Sequence, residues 1–440
     1  MSNLILRSIT GKDGQPVYFP TGIAIGDGKG SANNIGVPGQ PGFGVGVCPG
    51  PLPAGMVGLS GVNDPLSDNY GNYQFTDGSV MVWIPAFFYK WGTGSNGLPV
   101  NGVDIKPFSA YDSVAAANSA GYALHRAFYD GGAVQPGVFV DKYQCSNNAG
   151  IASSLKNGNP LSSHVDHNPF NALTGAPPNT LAGAIAAAKT RGANFFCSSR
   201  FVHAALALLA YAHGRASTNT TYCAWYHPTH NFPKGNNNNA LRDVNDLDVL
   251  YISDGYSNCG KTGSANLFAR TTHNGQNCGV ADLNGNMWEV SPGLTSDGTK
   301  LYILKTAASM KSVTGGNTSA TDLWGATGIA ALYDDLGTSY EAWAGSSTTK
   351  LYGSASQVFS AATSGNAWNA AGAGIPLASG TGGANAFGND GFWDHNVTWV
   401  CPLTGGAWAD ASAAGIWALA LNIGSGGSNP KHGFRSSLYL

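Results

Sequence analysis

Between Ser79 and Val290 short apolar runs alternate with polar turns. Val80-Met-Val-Trp-Ile-Pro-Ala-Phe-Phe-Tyr-Lys90 mixes β-branched and aromatic residues with a proline, which predicts strand interrupted at an edge or bulge. Gly137-Val-Phe-Val-Asp-Lys-Tyr143 predicts a second short strand, with apolar residues at 138, 140 and 143. The period then changes. Leu181 to Thr190 is alanine-rich and reads as helix. Ser198 or Ser199 is placed to cap a helix over Arg200 to His213, whose apolar residues fall at 201, 202, 205, 206, 208, 209 and 211. Gly214 is expected to end it. Leu247–Ile252 and Met287–Val290 read as strands. From 295 to 400 Gly, Ala, Ser and Thr dominate around scattered tryptophans, which predicts strands and long loops inserted before the final segment. Sheet with two helices, rather than a βαβ alternation, gives an α+β fold.

The first 75 residues are different. They carry GDGKG, VPGQPGFGVGVCPGP and a polar run to Asp77, with short strands expected only around Leu4–Ile9 and Val17–Ile25. Residues 1–75 therefore read as an arm for attachment or oligomerisation, and 76–440 as the main domain. The alternative is an N-terminal loop folded onto that domain.

Composition narrows the function classes. Of 440 residues 43% are hydrophobic, enough for a sizeable core, but only 10% are charged and the net charge is −2. A usual charged fraction is about 25%. Such a chain has no long-range field for a nucleic-acid backbone or an anionic membrane. Gly (62) and Pro (22) make up about a fifth of the chain, so many ordered turns are expected. Met1 to Pro20 lacks a basic stretch followed by an apolar run, and no window reaches the roughly 18 apolar residues of a membrane span. The expectation is synthesis in a cytosol, with release to the outside by lysis. The seven cysteines (48, 145, 197, 223, 259, 278, 401) have no CxxC spacing and read as free thiols.

Several stretches have the residue types of a site. Gly255-Tyr-Ser-Asn-Cys-Gly-Lys-Thr262 has the spelling of a phosphate-binding loop, yet no helix is expected after it, so nucleotide binding is not predicted. His164-Val-Asp-His167 and Cys223, His227 and His230 could ligate metal by type. Neither has a zinc-site spacing, and hydrogen-bonded loop histidines are the better reading. Asp243, Asn245, Asp246 and Asp248 form an oxygen cluster that could take calcium, without the EF-hand pattern. No other cofactor or metal is expected. Neither a Gly-x-Ser-x-Gly elbow nor a His-Glu-x-x-His pair occurs.

Cys278-Gly-Val-Ala-Asp-Leu-Asn-Gly-Asn-Met-Trp-Glu-Val290 resembles the G-[IV]-x-D-[LM]-x-G-N-[VM]-[WY]-E-W signature of the formylglycine-generating-enzyme family, a branch of the C-type-lectin fold. Gly405-Gly-Ala-Trp408 and Gly433-Phe-Arg435 resemble that family's closing G-G-x-W … G-F-R, and the matches run in order from about residue 80 to 435. The resemblance implies a C-type-lectin-like domain with a 295–400 insertion. On their own chemistry, Asp282-Leu-Asn-Gly-Asn286 is turn-forming and Trp288 is a core anchor. Asp282, Asn284, Gly285, Asn286, Trp288, Gly405, Gly406, Trp408, Trp417, Gly433, Phe434 and Arg435 are therefore expected to be scaffold, as are Leu419 and Leu421. The family's oxidase needs two cysteines just before G-F-R to bind copper and the substrate thiol. Between Trp408 and Phe434 there are none, and Cys401 stands alone, so the oxidase reading is discarded.

What remains is similar to the non-enzymatic branch: variable proteins of diversity-generating retroelements and related phage tail fibres. The resemblance makes 401–440 the variable region, with Ala407, Ala409, Asp410, Ser412, Ala413, Ile416, Ala420, Asn422, Ile423, Gly424, Ser425, Asn429, Lys431 and His432 facing a ligand. Most of these types are reachable by mutating adenines in asparagine codons, and Lys431 is not easily so. The expectation is a homotrimeric virion adhesin at the tail tip that binds a protein or glycan receptor on the host surface and docks to other tail proteins. It would not bind nucleic acid or insert in a membrane, and it would not be an enzyme. The rivals are a tail spike cleaving surface polysaccharide, for which Asp390, Asp394 and Glu341 are the nearest carboxylates, and a structural baseplate protein.

Overall fold

A computed structural model describes residues 34–337, 348–353, 357–377 and 385–440. The two short strands expected before residue 26, and Glu341, lie outside the described residues. The described chain is mainly β with a few helices, an α+β arrangement in the broad sense.

Two six-stranded sheets organise it. The first is antiparallel throughout, in the order 56–58, 72–75, 80–85, 137–141, 436–438, 196–197. The expected strand over 80–90 divides at Ala86: Val80–Pro85 stays in this sheet, while Phe87–Trp91 turns away to pair with Val103–Pro107. The closing strand Ser436–Leu438 lies directly beside Gly137–Asp141. The second sheet runs 348–351, 391–394, 415–421, 403–405, 288–290, 432–433 and is mixed, with two parallel pairs.

No break falls at residue 75. Strands 56–58 and 72–75 belong to the first sheet, and Ile35, Phe43 and Val45 are buried in the main core. Over residues 34–75 the arm expectation is therefore corrected: the glycine- and proline-rich stretch hydrogen-bonds into the domain, with Gly46 N–H on the Trp83 carbonyl and Asn274 Nδ2 on that of Phe43.

The long helix spans Arg200–Ala216, and the Ser199 side chain accepts from Val202 N–H as its N-cap. Residues 200–214 are all buried, which suits a helix apolar around most of its circumference. Gly214 does not end it. A side chain there would meet the Trp225 ring at 3.1 Å and Asn231 at 3.2 Å, so this glycine serves close packing. The alanine-rich segment forms helix at Gly183–Ala188. The 295–400 region contributes strands and two helices that its composition hid, Ala326–Leu332 and Gly365–Gly372.

Leu247–Ile252 is not a strand. Val249 and Tyr251 point inward and Leu250 and Ile252 outward, as in a strand, but its amides bond to the Leu241 carbonyl and to the Asn266 and Ser264 side chains instead of a neighbouring ladder. All seven cysteines are free and buried. No described helix is long and apolar enough to cross a membrane.

Candidate functional site

The closing segment rests on a polar crossroads built by Asp282-Leu-Asn-Gly-Asn286. Asp282 and Asn286 hold positive φ (56° and 65°), with Gly285 between them at 84°. That backbone suits Asx residues and glycine and turns the side chains inward. Asn286 is completely buried and uses both ends of its amide. Its Nδ2 donates to Gln144 Oε1 (3.0 Å) and the Gly260 carbonyl (2.9 Å), and its Oδ1 accepts from Gly260 N–H (2.8 Å) and Asn236 Nδ2 (3.0 Å). Asn284 Nδ2 donates to the Pro233 carbonyl at 2.7 Å. The Asp282 carboxylate accepts from Gly263 N–H at 2.6 Å, and burial pushes its pKa up to about 6. Three segments, around residues 144, 233–236 and 260–263, thus meet on one pentapeptide.

Arg435 locks the same region from the other side. Its guanidinium makes a two-pronged pair with Glu289 (2.6 Å on each prong) and donates to the carbonyls of Asp141 (3.1 Å) and Ala281 (2.9 Å). Both side chains are buried, and Glu289 holds the arginine pKa above its ordinary value despite the desolvation. All fourteen residues expected as scaffold are buried.

Above this frame the chain makes two outward excursions. Residues 407–414 form the first. Gly405 and Gly406 have positive φ (94° and 85°), and a side chain on Gly406 would strike Ala414 at 2.4 Å, so the chain folds back tightly. Ala407 N–H donates to the Asp410 carboxylate at 2.8 Å, Ala411 N–H to the Asn237 carbonyl at 2.7 Å, and Asn239 N–H to the Trp408 carbonyl at 2.6 Å. Ala409 and Ser412 are exposed, Ala413 and Asp410 half-buried. The Asp410 carboxylate is occupied by its own turn and by the Trp288 indole, so it is a capping group rather than a free contact.

The second excursion, 422–431, is pinned by its backbone. The carbonyls of Ile423, Ser425 and Gly427 accept from Cys401, Ala182 and Leu181, and Asn429 N–H donates to Ser163 Oγ. Asn422, Ile423, Gly424, Ser425, Asn429 and Lys431 are half-buried, and Gly426 and Ser428 are exposed.

Four residues expected to face outward do not. Ile416 and Ala420 lie on the strand Gly415–Leu421, which is internal to the second sheet and buried at every position, so alternation confers no solvent face. Ala407 is enclosed by its own turn. His432 pairs beside Trp288, and burial pushes its pKa down to about 3. These four are removed from the candidate surface.

Two contributors were missed. Asn236–Asn239 bonds to both the 405–411 turn and the crossroads, with Asn237 Nδ2 on the Asn284 Oδ1 (3.2 Å) and Asn258 Nδ2 on the Asn239 Oδ1 (3.0 Å). Leu247, Leu250 and Ile252 are exposed apolar side chains, 55%, 47% and 55% accessible, on the segment that bridges to this loop through Arg242. The asparagine run was visible in the sequence, and the exposure follows only from the missing ladder.

The other candidates fall apart spatially. The 255–262 stretch is a loop closed on itself by Asp254 N–H to the Cys259 carbonyl (3.0 Å), and Thr262 Oγ1 donates to the Leu155 carbonyl, so no phosphate cradle forms. His227 and His230 sit on the surface, whereas Cys223 is fully buried, its thiol pushed up to about 12 by desolvation. The Asp243 oxygens already accept from Gly235, Asn245 and Asp246 N–H, and Asp246 pairs with Arg270 at 2.7 Å, a poor donor set for calcium. Asp390 is buried on Trp417 N–H (2.8 Å) and Asp394 pairs with Lys350 (3.0 Å), so these two do not line an open groove.

No protein-family model and no curated protein matches the chain. Among solved structures it is similar to one described as Major Tropism Determinant U1 Variant, with a TM-score of 0.32 and 11% identity over 82% of this chain and 63% of that one. The chain thus spans less than two thirds of that protein's length.

Proposed function

We propose that this chain is a non-catalytic adhesin of a phage tail tip, with a C-type-lectin-like domain that presents the 407–414 and 422–431 excursions to a receptor on the host surface. The observation that carries the reading is the division of labour in the closing segment. Every motif residue shared with the lectin-like family is buried, while the small side chains Ala409 and Ser412 project from a turn whose backbone is fixed to the Asn236–Asn239 loop. Such a surface changes its side chains without moving its frame, as retroelement-diversified binding would require. The 34-to-440 body, low in charge, suits recognition by shape and hydrogen bonding rather than by field. A homotrimer would raise avidity by presenting several copies together, and residues 1–33 remain the part proposed to dock to other tail proteins.

The test is competition. Purified full-length chain is added to phage particles and host cells, and adsorption and plaque counts are measured. The wild-type chain should block adsorption, and Ala409→Arg or Ser412→Trp should lose the block with unchanged thermal stability. Full infection at saturating chain would refute the reading. New reducing ends released from host capsule would favour the polysaccharide-cleaving alternative.

A further inference from the structure

His167 ends a tight turn, and its ring is buried with three elements packed against it. Nδ1 lies 2.7 Å from the Pro430 carbonyl, which only accepts, so Nδ1 carries hydrogen. Nε2 lies 2.7 Å from Asp254 Oδ2. With Nδ1 protonated, a neutral ring points its Nε2 lone pair at that carboxylate, and two acceptors in contact need a cation between them. A third donor faces the same point. Cys259 Sγ is fully buried, and the donor atoms of His167, Asp254 and Cys259 all lie within 4.8 Å of one another.

The local fold builds this cluster. The loop 253–260 closes through the Ser253–Gly260 bridge and Asp254 N–H to the Cys259 carbonyl, which brings both side chains to one side. Asp254 Oδ1 accepts from Tyr256 N–H at 2.8 Å, leaving Oδ2 for His167. Tyr256 stacks on the imidazole at 4.3 Å, the edge of Trp408 closes a second side at 5.9 Å, and Met287 Sδ lies 3.7 Å from the thiol. An imidazole whose far nitrogen donates to a backbone carbonyl is the usual posture of a metal-ligating histidine.

We propose that His167 Nε2, the Asp254 carboxylate and the Cys259 thiolate form a buried zinc site that ties the 164–167 turn and the 253–260 loop to the closing segment. Tetrahedral bonds of about 2.0 Å to nitrogen and oxygen and about 2.3 Å to sulfur set donor atoms roughly 3.3 to 3.7 Å apart, so the 2.7 Å contact between His167 Nε2 and Asp254 Oδ2 must open by about 0.6 Å on binding, within the 4.8 Å that spans the three donors. Carboxylate and thiolate together balance the dication, so the filled site is neutral in an apolar enclosure. Three protein donors leave one tetrahedral position for water. Without metal, burial and the Asp254 charge hold the Cys259 thiol well above its ordinary range. Binding then displaces the thiol proton to solvent. Affinity should fall as the pH drops.

The experiment uses the full chain, purified without chelator and dialysed at neutral pH. The expected result is about one zinc per chain by elemental analysis. Replacement by cobalt should give a thiolate-to-metal charge-transfer band in the near ultraviolet. Cys259→Ser and Asp254→Asn should abolish the band while circular dichroism shows the fold retained. Should either variant fail to fold, the cobalt band and zinc content of the wild type decide alone. Wild-type chain that is folded, retains no zinc and gives no cobalt band would overturn the proposal. Nitrogen-15 shifts would then show both His167 ring nitrogens protonated, with a proton as the cation. Zinc still bound at full stoichiometry in folded Cys259→Ser would also overturn it.

Discussion

Replacing Arg435 by methionine removes the guanidinium but keeps most of the side-chain volume. The carboxylate of Glu289, 1% exposed, is then left with Gln144 Nε2 at 3.2 Å as its remaining close donor, and its nearest other cationic group is the His203 ring at 4.0 Å. Burial, the main cause of its lowered pKa, and the Arg200 charge still disfavour protonation of that ring when Arg435 is gone. The carbonyls of Asp141 and Ala281 lose a donor as well. Breaking a buried ion pair from one side costs about 3–5 kcal/mol, and the orphaned carbonyls add to that. Arg435→Met is therefore expected to lose about 4 kcal/mol in urea unfolding followed by tryptophan fluorescence. Adding Glu289→Gln should recover about 2 kcal/mol, because it removes the stranded charge but not the carbonyl loss. If Arg435→Met is too unstable to purify, the double variant against wild type still reads the residual cost. A loss below about 1 kcal/mol for the single variant, or further destabilisation on adding Glu289→Gln, would refute the reasoning.

Two further stability predictions follow from buried carboxylates. A side chain at Gly415 would lie 1.8 Å from Asp390 Oδ1, and Asp390 is held by Trp417 N–H, so Gly415→Ala should cost about 3 kcal/mol in the same unfolding assay; a loss under about 1 kcal/mol would mean that this carboxylate can move aside. Asp282 has its pKa raised from 3.8 to about 6, so the folded chain holds a proton that the unfolded chain releases. The stability this contributes is fully present below pH 3.8 and is lost as the pH rises through about 6. Stability measured from pH 4 to 7 should therefore decline more steeply in wild type than in Asp282→Asn, and equal slopes would contradict the assignment.

Much of the frame was readable because its signals are local. Ser199 and the apolar spacing from 201 to 211 define the long helix, and Asp282-Leu-Asn-Gly-Asn286 announces a turn that only Asx residues and glycine make easily. The helices 326–332 and 365–372 were hidden because Ala, Gly and Asn carry little periodic contrast. Exposure along 415–421 was misjudged for a different reason. A strand paired on both edges and covered on both faces has no outer side, and nothing in its own seven residues shows what covers it. The strand expected at 247–252 had the right alternation but only a single bridge, Leu250 to Arg242, in place of a partner strand, which a pattern within one segment cannot reveal.

The same limit explains the cluster of His167, Asp254 and Cys259. His164–His167 and the loop 255–262 each looked like a site of its own kind, and each fails separately. Long-range folding takes one histidine from the first and joins it to Cys259 of the second and the adjoining Asp254, 87 residues from His167. It does so directly beneath Trp408, at the root of the exposed turn. Sparse charge makes this economy intelligible. With only 24 acidic residues in the chain, carboxylates such as Asp243, Asp254, Asp282, Glu289, Asp390 and Asp410 are committed to inward bonds, and the outer excursions are left to alanine, serine, glycine and asparagine. Loops of small neutral residues would ordinarily be mobile. Here each is fixed through its backbone to the buried frame, so an exposed position can change its side chain at small cost to stability while a frame position cannot. That asymmetry is what the proposed receptor-binding surface requires, and it rests on the backbone bonds alone.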